Sequence, residues 1–296
     1  MQPHAPVRLR EVRDFGQIIT TTFQFLKQNK GPLFRVIGTV CLPTAILAGF
    51  LLGKSVGDIQ SMAFSMPRAG DPDTVLGKLM GGMLPMALGY LLLVAAFVGL
   101  IAVVNEYLRA YNLGEHQTIS NGDLWKRALG QSGVYFGTGF LSMLLIGLGF
   151  MLCILPGFYP LTIFALVFVC HAIERTGVTG SMARSNQLVK GRFWETLGLV
   201  VVVGLINSVI GYALMLPFTI AGAIIGFNML TGLMEDGSGY PDWYSSFMAA
   251  QFSYQMAVSM LTYPIVTVAI GLKYFSLVEE KESAGLRERI QGFEQA

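Results

Sequence analysis

The sequence predicts an all-α integral membrane protein: a six-transmembrane helical bundle with cytoplasmic interfacial amphipathic helices. Three observations predict it. Hydrophobic residues make up 53% of the chain and charged residues 13%, where a soluble globular chain carries about a quarter charged residues. Six apolar segments, 32–52, 84–105, 134–155, 158–174, 196–217 and 252–275, approach the roughly 20 residues a helix needs to cross the hydrocarbon. Of the twenty Lys and Arg residues, all but Lys54, Arg68 and Lys78 fall on the side that holds both termini and the second and fourth connections. The opposite side carries Asp58, Asp71, Asp73, Glu235, Asp236 and Asp242. Lys and Arg near short spans are retained in the cytoplasm during insertion, so this asymmetry orients the bundle. It divides the chain into a cytoplasmic N-terminal segment (1–31), a membrane domain (32–275) and a cytoplasmic tail (276–296).

The elements follow in order. In 14–29, Phe15, Ile18, Ile19, Phe23 and Leu26 recur at helical spacing opposite Gln17, Thr21, Gln24 and Lys27, which predicts an amphipathic helix. The first span starts at Pro32, keeps Arg35 near its inner end where the side chain can snorkel, and is expected to act as its own signal anchor. Gly49-x-x-x-Gly53-x-x-x-Gly57 reads as a close-packing pattern, as does Gly222-x-x-x-Gly226 later in the chain. The second span ends on Asn105 and Glu106. A second amphipathic segment, 120–131, sets Leu124, Trp125, Ala128 and Leu129 on one face beside Lys126 and Arg127. Leu155-Pro156-Gly157 leaves room only for a tight hairpin turn between the third and fourth spans. A third amphipathic segment, 178–190, carries Val178, Met182 and Val189 against Arg184 and Lys190. Such helices suit the membrane interface, although bundle caps share the pattern. Each precedes an odd-numbered span, a weak internal repeat.

The run 196–233 is nearly twice as long as a straight crossing needs. Pro217 near its middle is expected to break or kink it. Beyond the break, 218–233 is re-entrant, interfacial or a seventh span. A seventh span would carry Lys273, Lys281, Arg287 and Arg289 outside, against the charge rule.

Motifs for chemistry are weak. Cys41, Cys153 and Cys170 sit in apolar runs without C-x-x-C spacing and read as buried small hydrophobes. His4, His116 and His171 are far apart, so no metal ligand set is expected. His171 and Glu174 share a helix face, and Glu174 is expected to bond Arg175 or Arg184. Polar groups inside spans are candidate functional positions by default. Asn207 and Ser208 in the fifth span, beside the expected break at Pro217, are the leading ones, with Thr262 and Tyr263 in the sixth. No full charge lies deep in a span. Neither a catalytic cluster nor a cofactor motif is found, and the basic residues hug span ends rather than forming a nucleic-acid-binding patch.

One block is distinctive: Leu155-Pro156-Gly157-Phe158-Tyr159, then His171-Ala172-Ile173-Glu174, then Ser181-Met182-Ala183-Arg184-Ser185-Asn186-Gln187-Leu188-Val189-Lys190-Gly191-Arg192-Phe193-Trp194. Lys273-Tyr274-Phe275-Ser276-Leu277-Val278-Glu279-Glu280-Lys281 follows near the end. Together they resemble the membrane domain attached to some bacterial glycerophosphodiester phosphodiesterases, and its stand-alone six-span relatives. The resemblance implies a stand-alone six-span bacterial membrane protein without the catalytic domain, and the charge asymmetry implies an inner membrane with both termini cytoplasmic. The expectation is a non-enzymatic scaffold or accessory protein in envelope or lipid homeostasis, with membrane lipids and other membrane proteins as partners. The alternative is a carrier for a lipid or small amphiphile near Pro217, and the third reading is an intramembrane enzyme.

Overall fold

The computed structural model describes residues 6–65, 72–152, 154–235, 241 and 243–283. His4, Arg68, Asp71, Cys153, Asp236, Asp242, Arg287 and Arg289 lie outside the described residues, as does most of the expected tail. Among the described residues the fold is helical and has no strand. The helices are α1 (Phe15–Thr39), α2 (Cys41–Ser65), α3 (Pro72–Asn112), α4 (Asn121–Leu152), α5 (Ile154–Glu174), α6 (Val178–Val189), α7 (Phe193–Glu235) and α8 (Tyr244–Glu282). A single 3-10 turn, Glu115–Gln117, lies between α3 and α4. Six stretches are long and apolar enough to cross a membrane: Cys41–Met62, Gly81–Asn112, Asn121–Leu152, Gly157–Glu174, Phe193–Met229 and Tyr244–Glu282.

Local chemistry sets the helix starts. Asp14 accepts the Gln17 amide at 2.8 Å while Gln17 accepts the Asp14 amide at 3.1 Å, a reciprocal cap at the head of α1. Ser120 caps α4 by accepting the Asp123 amide at 3.1 Å.

Several expected boundaries move. Pro32 lies inside α1, and the chain breaks at Val40 instead. Pro43 in the first turn of α2 has no N–H to continue the ladder and suits a new helix start. The first candidate span is therefore Cys41–Met62 rather than 32–52. The 120–131 segment is the first part of α4, not a separate helix. Only 178–190 becomes a short helix of its own, α6. The expected hairpin turn moves too: α5 starts at Ile154, so Pro156 falls in its first turn, where proline is tolerated. Gly157 admits the Phe150 ring, which a Cβ would meet at 2.5 Å.

The largest correction concerns α7. It runs unbroken from Phe193 to Glu235 through an exposed Pro217. Residues 218–233 are thus a continuation of one helix rather than a re-entrant piece or a separate span. Proline costs a helix one hydrogen bond and a steric clash, which kinks a helix or breaks it, and here the helix continues past it.

The chain forms two compact units. The first takes in the chain up to Val36, Val98–Asn207 and everything from Tyr263 onward. In it α5 packs on α4 and α6. Val103, Val104 and Leu108 of α3, Leu166, Val167 and Cys170 of α5, and Val268, Ala269 and Leu272 of α8 are all essentially solvent-free. Gly271 makes one close approach possible, since a Cβ there would lie 2.6 Å from Leu108. The buried side of α1 also differs from expectation. Ile18 and Leu26 belong to it, but Thr22, Phe25 and Asn29 complete it, while Phe23 is 42% exposed. The Phe25 ring meets Tyr111 edge-on at 4.9 Å and Tyr107 at 6.3 Å. Leu124 and Ala128 of α4 are buried and Trp125 donates to the Val36 carbonyl at 3.3 Å, but Leu129 is exposed.

The second unit, Ile37–Phe97 with Ser208–Thr262, owes its packing to glycine. A Cβ at Gly49, Gly53 or Gly57 of α2 would meet α8 backbone atoms at 2.6, 2.3 and 2.6 Å. The stripe read from sequence thus has its partner in the N-terminal half of α8. Tyr244 and Ser253 of α8 reinforce the contact by donating to Gln60 Oε1 at 2.7 Å and the Ile46 carbonyl at 3.2 Å. Gly222 and Gly226 make no such approach.

Two outcomes follow. Gly53→Ala should lower stability in detergent by about 1–3 kcal/mol through overpacking, whereas Gly226→Ala should be neutral or slightly stabilising; equal losses would contradict the α2–α8 contact. Phe25→Asp should destabilise far more than Phe23→Asp, since truncating a buried Phe alone costs about 3–5 kcal/mol. The check is the unfolding temperature, and the reverse order would overturn the face assignment.

Candidate functional site

The chemistry-bearing groups of the first unit gather at one set of helix ends. Asn105 and Glu106, near the end of α3, are 0% and 1% exposed. Glu106 was placed at a span end by sequence, but its burial was not foreseen. A buried carboxylate needs a cation or it must give up its charge. Arg175 supplies one: its Nη2 donates to Glu106 Oε2 at 2.5 Å. The Arg175 side chain is 27% exposed and that of Glu106 0%.

Arg175 sits directly after α5 with φ 55°, in the left-handed region. Glycine is the usual occupant of such a helix end, and a side chain there costs about 1–2 kcal/mol. The conformation has two effects. It directs the guanidinium at α3, and it turns the Thr176 carbonyl back onto His171 Nδ1. His171 Nε2 meets Gln131 Oε1 at 3.1 Å. His171 thus bridges the Thr176 carbonyl after α5 and the Gln131 side chain of α4. Tyr135 closes the cluster edge-on to His171 at 5.3 Å and stacked on Phe168 at 6.2 Å. Its hydroxyl lies in the field of Glu106, Arg175 and Arg109.

Polar atoms here remain unsatisfied. Asn105 Oδ1, Glu106 Oε1, Tyr135 OH, Thr138 Oγ1 and Arg175 Nη1 are buried without a hydrogen-bond partner. Beside Asn105 is a cavity of about 70 Å³, bounded also by Tyr263 and Thr267.

A second set of pairs ties α5, α6, α7 and α8 together. Glu174 Oε1 accepts Arg184 Nε and the Tyr274 hydroxyl, both at 2.7 Å. Arg184 Nη2 also pairs with Glu282 at 2.6 Å. Burial lowers the Arg184 pKa, but its bonds to Glu174 and Glu282 outweigh this and raise it. Lys273, 2% exposed, pairs with Glu195. Arg192 bonds both Glu195, at 3.3 Å, and Glu280. Lys281 donates to the Gln187 and Lys190 carbonyls at 2.7 and 2.8 Å, at the end of α6 where a cation opposes the helix dipole. Ser185 of α6 donates to the Ile163 carbonyl of α5 at 2.6 Å.

The residues singled out from sequence fare differently. Glu174 does bond Arg184, while Arg175 goes to Glu106. His171 and Glu174 serve different partners. Asn207 is half-buried, with its Oδ1 unpaired. Ser208 is exposed, as is Pro217 on the unbroken α7. Among the described residues no group of three His, Cys, Asp or Glu converges as metal ligands. Sequence reasoning missed the Glu106–Arg175 pair; the available signal was a carboxylate at the end of one apolar run and a cation directly after another. The arrangement can clamp helices and hold protons in place, but it presents no nucleophile–base pair.

Arg175→Gly should relieve the backbone strain yet leave Glu106 unpaired, a loss of about 3–5 kcal/mol for a broken buried pair. Net destabilisation of the folded protein in micelles is expected. A gain in unfolding temperature would mean that strain outweighs the ion pair.

A domain of unknown function, DUF7847, matches residues 72–278, well over half of the chain. No curated protein and no solved structure matches it. The match takes in α3 from its first residue, all of α4 to α7 and all but the end of α8, and with them the buried Glu106–Arg175 pair. The chain belongs to the DUF7847 family.

Proposed function

We propose that this chain is a multi-pass protein of a bacterial inner membrane, with both termini cytoplasmic, that acts as a non-enzymatic scaffold or accessory subunit in envelope or lipid homeostasis. The observation that carries the reading is the fate of the ionisable groups. Glu106, Glu174, Glu195, Glu280 and Glu282 each pair with a basic side chain on another helix or helix end. In this reading the paired carboxylates serve to hold helices together. The exposed surface supports the membrane part. Only 11% of the apolar window of α7 and 17% of that of α4 is buried. Leu205, Val209, Ile220 and Phe227 on α7 and Phe140, Met143 and Leu148 on α4 are exposed, and lipid is the environment in which such surface costs nothing. The resemblance to the membrane domain of glycerophosphodiester phosphodiesterases agrees, since in those proteins the chemistry lies in a separate domain. The carrier alternative drew on a helix break at Pro217, which α7 runs past, and on Asn207, whose Oδ1 is unpaired.

Two measurements test the reading. An impermeant thiol reagent on intact cells should label Gly77→Cys but not Ser120→Cys or Ser283→Cys; external labelling at position 283 would overturn the orientation. Crosslinking in native membranes, followed by purification in mild detergent, should recover partner proteins in fixed ratio to this chain. A chain that emerges alone and uncrosslinked would refute the scaffold role.

A further inference from the structure

A cavity of about 1030 Å³ opens beside α1 in the first unit. Gln24, Lys27 and Lys30 of α1 line it, with Tyr111 of α3 and His116 of the 3-10 turn opposite, and Phe23 at its wall. Among the described residues no Asp or Glu lines it. The nearest acid in sequence, Glu115, is already paired with Arg127 at 2.7 Å. Lys27 and Lys30 are exposed and make no ion pair among the described residues. By contrast Arg192, also exposed and in the same unit, is doubly paired. His116 stacks on Tyr111 at 4.3 Å, and its Nδ1 is buried without a partner.

We propose that this cavity is a binding site for a phosphate-bearing anion, held by the ammonium groups of Lys27 and Lys30 and by the His116 imidazole. Two lysines three residues apart on one helix share a face, and both line this cavity, so one anion there meets two ammonium groups. Lysine binds phosphate as a point charge. Burial holds the His116 pKa below its ordinary value, so the free site presents a neutral imidazole that can turn a ring N–H toward an oxygen. A phosphate alone fills only a small part of the volume. Phe23 and the Tyr111–His116 stack supply an apolar wall for a larger body, which suits the headgroup and glycerol region of an anionic lipid. Free phosphate shares the same recognition chemistry. The site stands whether or not the scaffold reading does.

The test uses the full chain in maltoside micelles, titrated with dioctanoyl phosphatidic acid, dioctanoyl phosphatidylcholine and inorganic phosphate, with binding read by native mass spectrometry. Phosphatidic acid should bind with defined stoichiometry and at least about tenfold more tightly than phosphatidylcholine, in line with loss of a charge-assisted contact. The double variant Lys27→Gln/Lys30→Gln should bind it about tenfold or more weakly. Lys27→Arg/Lys30→Arg should retain binding, and Lys126→Gln, far out in solvent with an 84% exposed side chain, should match the unsubstituted protein. An unchanged unfolding temperature in the glutamine variant excludes misfolding as the cause. If inorganic phosphate displaces the lipid, the site accepts free phosphate; if it does not, the ligand is the lipid headgroup. Undiminished binding by the glutamine variant, equal binding of phosphatidylcholine, or no binding of either phosphate probe would each overturn the proposal.

Discussion

The Glu106 carboxylate, wholly withdrawn from solvent, is the constraint on which the charged layer of the first unit depends. Desolvating an unpaired carboxylate costs several kcal/mol even after relaxation. A cation must therefore reach it, and Arg175 does so only by taking a left-handed backbone conformation at the end of α5. That conformation places the Thr176 carbonyl on His171. His171 then fixes Gln131 and orients Tyr135 on α4. One buried charge thus propagates through three helices. One turn along from His171, Glu174 continues the pattern to α6 and α8 through Arg184 and Tyr274.

The molecule separates two kinds of surface. The charged ends are paired to each other and leave few ionisable groups available. The flanks of α4 and α7 are apolar and open. The second unit needs no charges, since the α2 glycines bring two backbones together and van der Waals contact serves in place of salt bridges. Such a division suits a protein whose task is to hold a shape and a surface within a membrane. The cavity beside α1 departs from it, because Lys27 and Lys30 line it with no Asp or Glu among its described lining residues.

Much of the fold was legible in the sequence. Long apolar runs specify helices because length and hydropathy act over many residues at once, so helical content and the number of candidate spans could be read directly. Boundaries were less legible. Pro32 was read as the start of a span and Pro217 as a break or kink, yet each lies inside a continuous helix, whereas Pro43 sits where a new helix starts. The α2 glycine stripe was visible as a pattern, but its partner on α8 was not, since sequence spacing says nothing about which surface will approach. The site was the least legible part. Which carboxylate meets which cation depends on where three helix ends arrive together, so Glu174 with Arg184 could be anticipated from proximity in the chain and Glu106 with Arg175 could not. The exposure of Phe23 and burial of Phe25 show the same limit: the two lie about 200° apart around the helix, and a shift of the buried face from Ile19 and Phe23 toward Thr22, Phe25 and Asn29 exchanges them.

The most direct test of this account is the coupling between Glu106 and Arg175. Stability in micelles should be measured for Glu106→Leu, Arg175→Leu and the double variant. If the pair is the constraint described, the double variant will be more stable than either single variant, with a coupling energy toward the upper part of the 0.5–3 kcal/mol range seen for contacting residues. Strictly additive losses would contradict it.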